Sequence, residues 1–145
     1  MGRRSVVSDY LFDTDTFSHY LQDHQAVLAR VVRNISSHLF LSIISVEETW
    51  DGWQAVLRRA KSPAQMSAAY DRLTEVMQEL RRWPIVSFDA MAIGRYELLK
   101  KAKLNVGGND LKIGAIALER NATVVTCNRR DFARIPGVVT EDWTL

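Results

Sequence analysis

Short apolar segments alternate with longer amphipathic ones along the whole chain, and this alternation restricts the fold more than any other feature of the sequence. Segments 10–12, 39–44, 84–88 and 122–127 are rich in β-branched or aromatic residues, and a polar residue follows each one. The run 39–44 is apolar almost throughout and does not alternate with polar residues, so neither face of the strand is expected to contact solvent. This is typical of a strand buried in a parallel sheet. Residues 138–140 add a candidate edge strand. Strands that alternate with helices predict an α/β fold, here a three-layer α/β/α sandwich with a central, mostly parallel sheet of about four to five strands.

Apolar residues at helical spacing predict the helices between these strands. Ser45-Val-Glu-Glu48 has the form of a capping box, so we expect a helix to begin at Ser45. Gly107-Gly108 is expected to end a later helix, and Ser62-Pro63 to separate the two arms of a helical hairpin. The predicted helices cover residues 17–24, 25–35, 45–61, 64–83, 91–104 and 109–121, with one or two further turns at 128–135.

The composition is that of an ordinary globular protein and argues against a disordered or fibrous chain, since 47% of the residues are hydrophobic and 25% are charged. We expect residues 1–145 to form one domain. The net charge of +2 permits an acidic partner without requiring one. The single cysteine, Cys127, excludes an internal disulfide framework. Because the N-terminal apolar run is too short for a signal peptide and no stretch has membrane length, we expect a cytoplasmic protein without a membrane partner.

Four acids are expected at one edge of the predicted sheet. Asp13 follows the first strand, Glu48 lies near the start of the helix after the second strand, and Asp131 follows the strand at 122–127. Asp110 reaches the same edge because the helix that it begins must run antiparallel to the strands. Ligands of open α/β sheets collect at this edge. Carboxylates gathered there repel one another and favour a hard divalent cation, Mg²⁺ or Mn²⁺.

Other kinds of site have little support in the sequence. The three histidines lie on or beside the N-terminal helices, where we expect surface positions, and one cysteine cannot build a zinc site. Neither a Gly-x-Ser-x-Gly elbow nor a Walker-type glycine loop occurs. A phospho-accepting receiver domain also gathers acids at strand ends, but it needs an acidic pair on the first strand and an acceptor on the third. The third predicted strand ends instead in Phe88-Asp89.

The order and spacing of four motifs resemble the PIN domain family, and within it the VapC toxins of toxin–antitoxin pairs. The resemblance covers nearly the whole chain and extends to the trailing Ile135-Pro-Gly-Val138. In the second motif, the family's glutamate is followed four residues later by glycine, which selects Glu48 over Glu47. The four motifs are Leu11-Phe-Asp-Thr-Asp-Thr16, Ser45-Val-Glu-Glu-Thr-Trp-Asp-Gly52, Gly108-Asn-Asp-Leu-Lys-Ile-Gly-Ala-Ile-Ala117 and Thr126-Cys-Asn-Arg-Arg-Asp-Phe132.

The resemblance implies a metal-dependent endoribonuclease that hydrolyses RNA phosphodiesters as the toxin of a toxin–antitoxin pair. It further implies a homodimer and an antitoxin that blocks the site. We expect the helical hairpin from Trp50 to Leu80 to pack partly against another chain. The implied catalytic residues and ligands of one or two Mg²⁺ or Mn²⁺ ions are Asp13, Glu48, Asp110 and Asp131, with Thr14, Thr126 and Asn128 in supporting roles.

Three points stay open at the level of sequence. The family usually has asparagine where this chain has Asp15, which either joins the metal ligands or only caps a helix. Positive side chains beside the late acids, Lys112, Arg129 and Arg130, are candidates for binding the RNA backbone. The same pattern also suits a housekeeping nuclease or a catalytically silent PIN-like module that binds RNA or protein.

Overall fold

A five-stranded parallel sheet forms the centre of the protein. The computed structural model describes residues 8–145. The strands are β1 (Asp9–Phe12), β2 (His38–Ser42), β3 (Ile85–Val86), β4 (Thr123–Val125) and β5 (Thr140–Glu141). Their order across the sheet is β3-β2-β1-β4-β5. The predicted α/β fold with a parallel central sheet is therefore confirmed.

Within the described residues, helices cover both faces of this sheet. They are α1 (Thr14–Leu21), α2 (Gln25–Arg33), α3 (Ile43–Arg59), α4 (Pro63–Leu80), α5 (Ala90–Lys101), α6 (Gly108–Arg120) and α7 (Arg129–Phe132). Leu11 of β1 belongs to a core formed mainly with α6, whereas its neighbours Tyr10 and Phe12 belong to a second core with α1, α2 and α4. Successive residues of a strand point to opposite faces. The sheet is thus buried on both sides, which makes the three layers of the predicted sandwich.

The pairing of β1 places Asp13 at the middle of one sheet edge. Leu11 pairs with Phe40 of β2 on one side and with Val124 of β4 on the other. Immediately after β1, the Asp13 backbone N–H donates to the Val125 carbonyl at 3.0 Å. The carboxyl ends of three neighbouring strands therefore surround this aspartate, and the helices that follow them begin beside it.

The predicted capping box at Ser45 is wrong, because α3 begins at Ile43 and its N-cap is Ser42. The Ser42 hydroxyl accepts the backbone N–H of Ser45 at 3.2 Å. Residues 43 and 44 looked like the end of a strand because a short apolar run suits a strand end and a first helical turn equally well. Glu48 consequently lies in the second turn of α3, on the same face as Ser45.

Several other boundaries differ from the prediction, and two of them matter for the chain path around the site. The last strand is Thr140–Glu141 rather than 138–140. Helix α5 ends at Lys101, well before the glycine pair, because Lys103 and Asn105 adopt left-handed backbone conformations with φ of 50° and 60°. Gly107 instead serves as the N-cap of α6.

The tryptophans divide between the core and the surface. Trp83 and Trp143 are buried and pack around Phe12, with ring centroids 5.0 and 5.2 Å from that of the phenylalanine. Trp50 on α3 exposes 42% of its surface. Of the histidines predicted at the surface, His38 is exposed, whereas the other two are half-buried with their rings 5.1 Å apart.

Among residues 8–145, none of the helices combines the length and the apolar character needed to cross a membrane. The expectation about a signal peptide concerns the first residues of the chain, which lie outside the described range.

Candidate active site

A cavity of about 200 Å³ opens at the carboxyl edge of the sheet. Three helices deliver predicted catalytic acids to its wall. Asp13 is the N-cap of α1, Glu48 lies on α3, and Asp110 lies in the first turn of α6. The structure therefore brings together three acids that are far apart in sequence. The residues that line the cavity are Asp13, Thr14, Asp15, Glu48, Asp110 and Asn128.

Asp13 is the most enclosed of these acids, with 4% of its surface exposed. Its Oδ1 accepts the backbone N–H of Thr16 at 2.8 Å, which caps α1 and fixes the carboxylate. Burial raises the pKa of Asp13 above its usual value, and hydrogen bonds from the Thr126 hydroxyl and the Thr16 backbone oppose that rise. One aspartate thus acts as a helix cap and as part of the cavity wall.

Glu48 is tied to helix α1 by a threonine. The Thr14 hydroxyl lies 2.6 Å from Glu48 Oε1 and 3.2 Å from the hydroxyl of Ser45. Thr14 follows Asp13 directly, so this contact sets the position of the glutamate relative to the first aspartate. The supporting role of Thr14 stays a prediction, and this hydrogen bond is compatible with it.

Asn128 links the two remaining acids. Its Nδ2 donates to Asp131 Oδ2 at 2.9 Å and, over a longer distance of 3.4 Å, to Asp110 Oδ2. The backbone N–H of Asn128 donates to the Thr126 hydroxyl at 2.8 Å, which fixes the turn after β4. Asp131 also pairs with Arg134 at 3.5 Å. Asp131 therefore contacts Asn128, which lines the cavity, but does not line the cavity itself.

The gathered carboxylates make the cavity strongly negative. The pKa of Asp110 is raised from 3.8 to about 6, first by burial and then by the charges of Asp13, Glu48, Asp131 and Asp15. Ionising all of these groups together costs free energy, and a bound cation would offset that cost. Because every charged donor is a carboxylate oxygen, the chemistry of the site suits a hard divalent cation.

In their present positions, the acids do not yet form a cage for an ion. No group of three or more His, Cys, Asp or Glu side chains in the described part of the chain is arranged to hold a metal ion. Thr14 and Asn128 instead hold the carboxylates in hydrogen bonds. The donor set nevertheless fits the ion chemically, because its charged members are hard oxygen ligands.

The predicted RNA-binding residues occupy different surroundings. Arg129 and Arg130 are exposed on α7 beside Asp131. The Lys112 ammonium lies over the rings of Phe88 and Tyr96, 6.0 and 5.7 Å from their centroids. Lys112 therefore faces α5, whereas the two arginines lie on the side of the acids.

Sequence reasoning overlooked two parts of the site. Ser45 contacts Thr14 behind the cavity, and the signal for it was its spacing of three residues from Glu48 on one helix. A second, wider cavity of about 480 Å³ adjoins the first, with Asn109 and the Gly107-Gly108 pair in its wall beside Glu48 and Asp110. The sequence predicts a helix end at the glycine pair and a motif that begins at Gly108, but no cavity wall there.

The fold and the site define a three-layer α/β/α protein with an acidic cavity at the carboxyl edge of a parallel sheet. The sequence profile of the PIN domain family matches residues 10–138. The chain therefore belongs to the PIN domain family, as the four motifs predict.

Curated relatives carry the name of one branch of this family. Ribonuclease VapC1 of Haemophilus influenzae strain R2866 is 28% identical over 138 residues, which cover 93% of this chain and 98% of that protein. Ribonuclease VapC2 of Rickettsia felis is 41% identical over 68 residues, which cover 44% of this chain. That match spans about half, 51%, of the Rickettsia protein.

Solved structures of toxin–antitoxin complexes share the fold. DNA-bound VapBC from Salmonella typhimurium is similar with a TM-score of 0.77 and 26% identity, and the match covers 94% of this chain and 99% of that one. VapBC2 from Rickettsia felis, bound to a DNA fragment from its promoter, gives a TM-score of 0.74 and 25% identity over 92% of this chain and 98% of that one.

Proposed function

We propose that this protein is a Mg²⁺- or Mn²⁺-dependent endoribonuclease and the toxin of a toxin–antitoxin pair. The observation that carries the proposal is the shared cavity of Asp13, Glu48 and Asp110, in which burial and, after it, repulsion between the carboxylates raise the pKa of Asp110 to about 6. The names of the relatives, ribonucleases VapC1 and VapC2, support RNA as the substrate.

Four acids are proposed to hold the metal. Asp13, Glu48 and Asp110 would supply carboxylate oxygens from the cavity wall, and Asp131 would join them from behind Asn128. Asp15 lines the same cavity and is a candidate for a further ligand. These residues would hold a divalent ion, which would supply a water of lowered pKa and neutralise charge on a phosphodiester. The chain's own part is to keep the carboxylates oriented, through Thr14, Thr126 and Asn128.

The RNA backbone is proposed to approach over α7. Arg129 and Arg130 are exposed next to Asp131, so their charges offset the repulsion between the acidic cavity and a phosphate. Lys112 is a weaker candidate, because two aromatic rings already cover its ammonium and it faces α5.

The proposed partners are an antitoxin protein and a second copy of this chain. The proposed location of the protein is the cytoplasm. The solved relatives are complexes of a toxin with its antitoxin, which supports the first partner. Exposed apolar side chains on the helical hairpin, including Trp50 of α3 and Tyr70 of α4, support the second, since they offer apolar area for another chain.

The decisive experiment is RNA cleavage by protein purified free of antitoxin. We expect cleavage with Mg²⁺ or Mn²⁺, and none with a chelator. Asp13→Asn should lower the rate at least about 100-fold, because metal catalysis supplies several kcal/mol of transition-state stabilisation. Its stability should not fall, since asparagine caps a helix as well as aspartate does and carries no charge where burial raises the pKa of Asp13.

Asp51→Asn is the matched control, because Asp51 is exposed on α3 outside the cavity. This variant should cleave RNA at the wild-type rate. If the wild-type protein stays inert on all classes of RNA with either metal, the nuclease proposal is wrong and a silent binding module takes its place.

A further inference from the structure

We propose that Ser45 is a positioning residue, whose hydroxyl orients Thr14 and, through Thr14, the carboxylate of Glu48. The inference rests on the proposed ribonuclease function, since it explains how one acid of that site is held. Ser45 is not needed as a helix cap, because Ser42 performs that role. Its hydroxyl is therefore available for a different contact.

The geometry links three side chains in a row. Ser45 lies one turn before Glu48 on α3 and is completely buried, with 0% of its surface exposed. Its Oγ is 3.2 Å from Thr14 Oγ1, and the same threonine oxygen is 2.6 Å from Glu48 Oε1. The contact crosses from α3 to α1 and back, so it joins two helices at the cavity wall.

The number of protons fixes the direction of these hydrogen bonds. An ionised carboxylate only accepts, and a threonine hydroxyl has a single proton to give. The Thr14 proton must therefore point at Glu48, which leaves a lone pair of Thr14 to face Ser45. Ser45 is then the donor, and the chain runs from Ser45 to Thr14 to Glu48. Hydrogen bonds in such a chain polarise and strengthen one another.

Glu48 depends on this chain more than the neighbouring acids do. Within the described residues, Thr14 is the partner of its side chain, which has more rotatable bonds than an aspartate. Asp13 is held by both Thr16 and Thr126, and Asp131 by Asn128 and Arg134. Loosening Thr14 thus releases Glu48 and leaves the other acids in place.

The test compares two buried serines that lie three residues apart at the start of α3. Ser45→Ala removes the donor to Thr14, whereas Ser42→Ala removes the cap of α3 and leaves the chain of hydroxyls intact. We expect Ser45→Ala to lower kcat for RNA cleavage about tenfold, the value of one hydrogen bond, with the KM for RNA unchanged. Its affinity for Mn²⁺ in a calorimetric titration should also fall, while Ser42→Ala should lose stability and keep both properties.

Two further variants separate positioning from packing. Ser45→Cys preserves the volume with a weaker donor, so its kcat should lie between those of the wild type and Ser45→Ala. In a Thr14→Val background, Ser45→Ala should have no further effect on kcat, because the link to Glu48 is already absent.

The inference is overturned if Ser45→Ala matches Ser42→Ala in kcat and Mn²⁺ affinity, or if the effects of Ser45→Ala and Thr14→Val simply add. A wild-type protein that does not cleave RNA would refute the proposed function but would still permit a decision on Ser45. In that case the ¹³C shift of the Glu48 carboxyl group decides, since Ser45→Ala should move it and Ser42→Ala should not.

Discussion

Replacement of Asp110 by asparagine should abolish the proposed activity and yet stabilise the metal-free protein. The folded-state pKa of Asp110 is about 6, against an ordinary value of 3.8. Between these values the folded state binds more protons than the unfolded state, so wild-type stability falls as the pH rises from about 4 to about 7. Asparagine carries no charge at any pH, so the variant does not lose this stability as the pH rises.

The size of the effect follows from the shift. One pKa unit corresponds to about 1.4 kcal/mol, so a rise from 3.8 to about 6 corresponds to about 3 kcal/mol for a fully buried group. Asp110 is only half-buried, and solvent screening reduces the figure to about 1 to 2 kcal/mol. For a chain of 145 residues this difference raises Tm by about 3 to 6 °C.

The assay is thermal or urea unfolding of wild type, Asp110→Asn and the exposed-acid control Asp51→Asn, in EDTA across pH 4 to pH 8. The stability difference between Asp110→Asn and wild type should be near zero at pH 4 and complete above pH 7, whereas the control should follow the wild type. A variant that is no more stable than wild type at pH 7.5, or a difference independent of pH, would refute the electrostatic account of this cavity.

Two other variants test individual contacts. Asn128→Ala removes the amide that holds Asp131 and Asp110, so the rate of RNA cleavage should fall about tenfold or more. The free energy of unfolding, measured in urea, should change by less than about 2 kcal/mol. An unchanged cleavage rate would show that the amide has no part in the site. Thr49→Val should raise the free energy of unfolding, measured in urea, by about 1 kcal/mol, because the buried Thr49 hydroxyl has no partner among the described residues. A lower free energy of unfolding would show that this hydroxyl is hydrogen-bonded, for example to water.

The sequence predicted the fold because strand and helix periodicities are local. The alternation of β-branched runs with helical stripes was enough for the parallel sheet and its two helical layers. It was also enough to place Asp13, since an acid directly after a central strand must lie at the carboxyl edge. Boundaries failed where two local structures share one pattern, as at residues 43 and 44.

The acids could be collected from the sequence, but only the tertiary structure decided what holds each of them. Glu48 meets Thr14, Asn128 meets Asp110, and Lys112 turns toward Phe88 rather than toward the acids. The first two contacts connect different segments of the chain near the sheet edge, and their geometry depends on how helices pack. Periodicity specifies which residues face inward, whereas the distance between two side chains on different helices depends on the packing of every layer between them. The contact between Ser45 and Thr14 is likewise tertiary, because it joins α3 to α1.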